Sequence, residues 1–284
     1  MKLSKIFALL LALCLISSAA CAATFTDAHG NVIELDDSLE AYTAVTLVGA
    51  DNAARQGETN LGDLWADALR WFAVSGEINA AFDEDDVKAG NDRIAVDADH
   101  VVALWNGGNL RADIAEGTFG AEALAEVLPF PNKVAVVYMT GAQLLETLEA
   151  ASQGLPYTAE TADACASLMQ VSGLTYTVDT TKAYDALEAY GDHWFTAGSV
   201  SRVRIDDVNG QPFDAEATYA VVTSNANFNG MDSSYVLKAA AEANEQSAVT
   251  TAVVRDVVFR FIAAELNHQV GEAYAAPQGR LTIL

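Results

Sequence analysis

The stretch Leu104 to Ile114, "LWNGGNLRADI", decides how the rest of the chain is read. Residues 101–105 are apolar and β-rich, the pattern of a short buried strand. Asn106-Gly107-Gly108-Asn109 then turns the chain, and Arg111 follows at once. Side chains on loops at strand ends are where binding groups commonly sit. The whole sequence carries 15 Lys+Arg against 39 Asp+Glu, a net charge of −24. Such a surface repels anions. An arginine set against that background, after a paired-glycine turn, reads as a local receptor for an acceptor or an anion.

Working outward, "ETNLGDLWADALRWFAVSG" at 58–76 repeats Leu61, Leu64, Trp65, Ala68, Leu69 and Phe72 at spacings of three and four. That is one face of a helix, with Thr59 or Asn60 as its N-cap and Gly76 as its stop. Core packing explains the stripe but not Arg55 and Glu58 clustered before the cap. On the other side, a helix is expected from Thr118 through Leu128. Val134, Val136 and Tyr138 then alternate along a strand, and Thr140 with Gln143 forms a capping box for a helix through Ala150. Strands are expected at 174–178, 200–206 and 219–223, with an Asn209-Gly210 turn between the last two. Val253 to Ile262 reads as a helix, and residues 281–284 as a closing strand. The acidic run "DEDD", 83–86, lacks the alternation and glycine of a calcium loop, and a solvated loop is expected there. The elements mix without a strict βαβ rhythm. The fold class read from this pattern is α+β, a mixed sheet with packed helices, in one domain over 43–284.

The chain opens with Lys2 and Lys5, an apolar run from Ile6 to Ile16, and small residues after it. Residues 1–22 read as a signal peptide whose apolar core is too short to span a bilayer. Residues 23–42 read as an N-terminal hairpin or extension, turning at His29-Gly30-Asn31. Ala20-Cys21-Ala22 fits a signal-peptidase site and predicts free secretion. Ser18-Ala19-Ala20-Cys21 is a weak lipobox and gives the other reading, an extracytoplasmic lipoprotein anchored at Cys21. No later segment is long and apolar enough for a transmembrane helix, and the acidic balance argues against nucleic acid as a partner. Cys14 departs with the leader, so Cys165 has at most Cys21 to pair with. No disulfide framework exists, and Cys165 is expected to be a small buried thiol.

Familiar catalytic patterns are missing. There is no G-x-S-x-G, no Walker loop and no G-x-G-x-x-G. The histidines, 29, 100, 193 and 268, are scattered, and none lies in H-E-x-x-H. Asp27-Ala28-His29 spells D-x-H without further ligands nearby, and "DADH" at 97–100 reads as a polar strand edge. No residue is assigned a catalytic or metal-binding role, and no cofactor is expected in this chain.

Four segments, "ETNLGDLWADALR", "LWNGGNLRADI", "EVLPFPNKVAVVYMTGAQLLETLE" and "TSNANFNGMDSSYVL", resemble, in this order, motifs of the C-terminal domain of 5'-nucleotidases. The resemblance implies the fold of that domain and a site for the nucleoside part of a nucleotide. It also implies that hydrolysis belongs to a separate metallophosphatase domain carrying two metal ions. Residue by residue, it implies substrate-binding roles for Arg55, Asn106, Gly107, Gly108, Arg111, Phe130 and Asp232. Phe130 would be one half of a base-stacking clamp, and Asp232 would hold ribose hydroxyls. Three departures stand out. Asn109 replaces the third loop glycine, and asparagine tolerates left-handed backbone better than most residues. Ala226 falls where the second clamp aromatic belongs, and Phe228, on the same face if the segment is extended, is expected to replace it. Met231 alters the glycine pair before the aspartate.

These roles suit the chemistry, since aromatic faces stack on bases and a carboxylate accepts two hydrogen bonds from a diol. Taken singly, each residue also fits an ordinary part: Phe130 in the core, Arg111 with Asp232 as an ion pair, the glycines as a plain turn. Four motifs in order weigh against that. Of the metallophosphatase motifs only D-x-H matches, by letters alone, and only residues 23–42 separate the leader from the recognised domain. The function expected is therefore a secreted nucleoside- or nucleotide-binding domain that does not hydrolyse alone. Two alternatives stay open: half of a split 5'-nucleotidase acting with a separate metallophosphatase chain, and a structural cell-surface module whose pocket has decayed.

Overall fold

The computed structural model describes residues 24–26, 32–34, 40–190 and 194–284. The leader, Cys21, the Asp27-Ala28-His29 letters, the His29-Gly30-Asn31 turn and His193 lie outside them. The strands Thr24–Thr26 and Val32–Glu34 pair antiparallel and belong to a unit separate from residues 39–284.

The larger unit is built on a five-stranded mixed sheet. Its order is Ala248–Val253, Lys133–Thr140, Thr218–Ser224, Val101–Asn106, Met169–Ser172. Thr218–Ser224 runs parallel to Val101–Asn106, and the other neighbours are antiparallel. Side chains alternate across a strand, and here both faces are covered. Ala103, Trp105, Val134, Val136, Ala220 and Val222 point to one core, packed with Leu64, Trp65 and Phe261. Val102, Leu104, Val137, Met139, Tyr219 and Val221 point to a second core, with Leu144, Leu148 and Leu237. The helices Asn60–Val74 and Val254–Ala264 thus cover one face, and Gly141–Ala151 with Tyr235–Ala243 covers the other. Burial on both faces explains why the strands read as continuous apolar runs. Three-stranded sheets flank this body: Val203–Val208, Leu174–Val178, Leu281–Ile283, and Gln269–Val270, Ala41–Thr43, Gly117–Phe119.

Local signals hold in detail. Thr59 caps the helix Asn60–Val74 by accepting the Gly62 amide. Gly76 leaves that helix at φ 84°, and Thr140 and Gln143 form their capping box. Asn209 and Gly210 turn with φ 51° and 75°. Two expectations are corrected. The "DEDD" run is a helix, Glu84–Ala89, because Asp83 caps it and exchanges a full capping box with Asp86; acids in a first turn also favour the helix dipole. Thr118 does not begin a helix but lies in the strand Gly117–Phe119, which pairs with Ala41–Thr43, and the helix starts only at Ala121. Among the described residues no helix is long and apolar enough to cross a membrane. Cys165 is buried and unpaired.

Candidate functional site

The two parallel strands Val101–Asn106 and Thr218–Ser224 end on the same side, and the candidate site forms beyond their carboxyl ends. That is where neighbouring parallel strands leave a crevice for ligands. Asn106, the last residue of its strand, is fully buried. Its amide nitrogen donates to Asp232 Oδ2 at 2.8 Å and to the Ala166 carbonyl at 3.3 Å. Its oxygen accepts from Asn109 Nδ2 at 2.7 Å. Asn109 therefore fixes which end of the Asn106 amide faces Asp232. This corrects the sequence reading of Asn109. The backbone of Gly107–Asn109 is a short 3-10 turn without positive φ at Asn109, so its side chain, not its backbone tolerance, is what the loop uses.

The glycines serve close approach. A Cβ on Gly107 would run into the Ala54 carbonyl, and one on Gly108 would stand 2.6 Å from Ala166 Cβ. The turn is thereby pressed between the segments that carry Arg55 and Ala162–Ala166. Arg55 is buried, donates to the Ala162 carbonyl at 2.8 Å and lies 3.7 Å from Asp163. Asp113 anchors the same rim by accepting the Gly49 and Ala50 amides at 2.7 and 2.8 Å.

Arg111 is exposed, with its backbone amide bonded to the Val127 carbonyl. Its guanidinium carbon lies 5.9 Å from the centre of the Phe130 ring, and it has no hydrogen bond or ion pair among the described residues. Phe130 is 42% exposed, so it is not a core residue. Its loop is tied to the next motif by Lys133 N, which donates to Asn225 Oδ1 at 3.0 Å.

Asp232 completes the group at φ 50°. Only one carboxylate oxygen is taken, by Asn106, and Oδ1 has no partner among the described residues. Burial raises its pKa above the ordinary carboxylate value, while the charges of Arg55 and Arg111 pull it back. Arg111 and Asp232 feel one another electrostatically without forming an ion pair. Asn106, Gly107, Gly108, Arg55, Arg111, Phe130 and Asp232 are thus brought together.

Phe228 is not placed as expected. Asn225–Phe228 is a helical turn capped by Ser224. Successive helical residues point about 100° apart, so Ala226 and Phe228 do not share a face. Phe228 is half-buried against the second core. A short polar run, N-A-N-F after Ser224, carried the N-cap signal that would have revealed the turn. Asn109, Asp113 and the carbonyl of Ala162 were missed as supporting groups, since only the folded chain shows what they hold. Among the described residues, no three His, Cys, Asp or Glu side chains come together in a way that could hold a metal ion.

Comparison with known proteins bears on this arrangement. The model of the family described as "5'-nucleotidase, C-terminal domain" matches residues 40–239. A 5'-nucleotidase precursor structure from Thermus thermophilus superposes with a TM-score of 0.61 at 28% identity, over 86% of this chain and 39% of that one. The NAD nucleotidase structure from Haemophilus influenzae gives 0.57 at 14% identity, over 92% and 48%, a likeness of fold. The trifunctional nucleotide phosphoesterase protein YfkN of Bacillus subtilis (strain 168) is 29% identical over 188 residues, 65% of this chain and 10% of that protein. The chain spans less than half the length of each.

Proposed function

The chain belongs to the 5'-nucleotidase C-terminal domain family, and on that premise we propose that its crevice binds the nucleoside part of a nucleotide and does not itself hydrolyse phosphate esters. The observation that carries this reading is the state of Asp232. Its carboxylate is held by Asn106 at one oxygen and open at the other, beside an exposed ring and an unpaired guanidinium. A riboside offers vicinal hydroxyls that donate to a carboxylate, and a base whose faces stack on Phe130. Arg111 supplies fixed donors against the acidic field of the molecule, while Arg55, held by the Ala162 carbonyl and Asp163, braces the turn beside it.

Hydrolysis in this reading needs a metallophosphatase domain, on another chain or another part of a longer one. Where 5'-nucleotides are broken down, this chain would position substrate for a metal centre it does not contain. The leader points to an extracytoplasmic location, with release near Ala23 or a lipid on Cys21.

Calorimetry of the purified chain against adenosine, AMP and UDP-glucose, with a phosphate-release assay in manganese or cobalt, tests the proposal. The expected outcome is binding without phosphate release. Phe130→Ala should weaken adenosine by about 1–3 kcal/mol, the usual worth of a base–aromatic contact. Asp232→Ala should weaken ribosides and spare free adenine. No nucleoside binding at millimolar ligand would favour a decayed pocket. Phosphate release that co-purifies with the chain and vanishes in Arg111→Ala would overturn the division of labour.

A further inference from the structure

We infer that Met231, and not Phe228, forms the second wall of the base slot, so that a nucleobase is gripped between an aromatic ring and a flexible thioether. The inference rests on the nucleoside-binding reading above. Ala226 stands where an opposing aromatic is expected, and the helical turn Asn225–Phe228 carries Phe228 away into the second core. Met231 is held against Ala226 through its backbone. Its amide donates to the Ala226 carbonyl at 3.0 Å. The loop that holds it is braced from within, because Asn227 Nδ2 donates to Ser234 Oγ at 2.9 Å and Ser224 Oγ donates to Asn227 Oδ1 at 2.8 Å. Gly230, at φ 92°, makes the bend that a side-chain-bearing residue resists.

The result is an exposed methionine, 53% accessible, immediately before the carboxylate of Asp232 and on a loop tied through Asn225 to that of Phe130. Phe130 and Met231 are both large apolar side chains open to solvent. Their chemistry differs in a way that matters for specificity. A ring offers a fixed plane, whereas a thioether is polarizable, unbranched and adjusts to irregular partners. A slot with one rigid and one adaptable wall holds purines and pyrimidines with little preference between them.

The exposure of Met231 supplies a second test. Met139 and Met169 are buried, so mild peroxide should convert Met231 first, making it polar; methionine sulfoxide reductase reverses that change. Calorimetry with adenosine and uridine decides the matter. Wild type should bind both within about fivefold of one another. Met231→Gly should weaken both by roughly five- to tenfold, while Phe228→Leu leaves both within about twofold. Peroxide should weaken binding and the reductase should restore it, with neither effect in Met231→Leu. Wild-type binding that Met231→Gly leaves within about twofold, or that Phe228→Leu abolishes while Met231→Gly does not, overturns the inference alone. Absence of any nucleoside binding by wild type overturns the nucleoside reading and the inference with it.

Discussion

Asp63 lies in the first turn of the helix Asn60–Val74 with its side chain closed to solvent. One oxygen accepts the Gln278 amide at 3.0 Å, and the other has no hydrogen bond and lies 3.9 Å from Arg280 Nη1. Glu58 accepts the Arg280 and Leu281 backbone amides nearby, and Asp67 accepts from the Arg280 guanidinium and from Tyr274. Burial and the nearby Glu58 charge push the Asp63 carboxyl up to about 8, against the pull of Arg280. A group that holds its proton more tightly folded than unfolded stabilises most below its unfolded pKa and loses that contribution as pH rises through the folded one. Stability should therefore decline between about pH 4 and pH 8, on the order of a few kcal/mol from this group. Asp63→Asn keeps an acceptor for Gln278 and removes the titration. Urea melts from pH 5 to 9 should show a flatter profile for the variant, and an unchanged slope would place the pH dependence elsewhere. None of this is legible in the sequence. Asp63 and Arg280 lie far apart along the chain, and only the return of the last strand beside Leu174–Val178 brings them together.

Elements tell a different story, because their signals are local. Caps at Thr59 and Thr140, the Asn209-Gly210 turn and the stripe from Leu61 to Phe72 depend on neighbours within a few residues, and each is visible in the sequence. Thr59→Ala should cost about 1 kcal/mol, the usual loss for a cap, measured by chemical denaturation. Elements shaped by tertiary pairing or by unrecognised caps were harder to see. Thr118 is drawn into a strand by Ala41–Thr43, and Asp83 turns an acidic run into a helix. The same division governs the site. The ordered motifs pointed to Asn106, Arg111, Arg55, Phe130 and Asp232. The helical turn at Asn225–Phe228 reversed the expectation for Phe228, since a one-turn element gives too little periodicity to read. Gly107 shows how tightly the elements meet. Gly107→Ala would drive its Cβ into the Ala54 carbonyl, moving the turn or the helix Ala53–Gln56 that carries Arg55. The expected outcome is a loss of about 1–3 kcal/mol in stability together with weaker nucleoside binding. Full stability with full binding would show that the turn has room to spare.

At the scale of the whole molecule, charge is the dominant fact. A net charge of −24 surrounds a crevice whose proposed ligands are neutral nucleosides or anionic nucleotides. Two fields compete there. The long-range field of the acidic surface repels a phosphate, and it extends about 30 Å at 10 mM salt but only about 8 Å at physiological ionic strength. The short-range field of Arg111, exposed and unpaired, attracts it and acts over a few ångströms, where added salt matters less. Arg55 adds little to that attraction, because Asp163 and the Ala162 carbonyl already occupy it. Screening should then remove more repulsion than attraction. AMP affinity is expected to rise severalfold between about 10 and 150 mM sodium chloride, while adenosine affinity holds within about twofold. Calorimetry of both ligands over that salt series makes the comparison within one protein preparation, so general effects of salt on the fold cancel. If AMP binding instead weakens with salt, the local field of Arg111 outweighs the acidic surface, and Arg111→Gln should then abolish the salt dependence. If AMP and adenosine respond alike, the phosphate lies beyond the reach of either field, directed outward toward whatever domain completes the reaction.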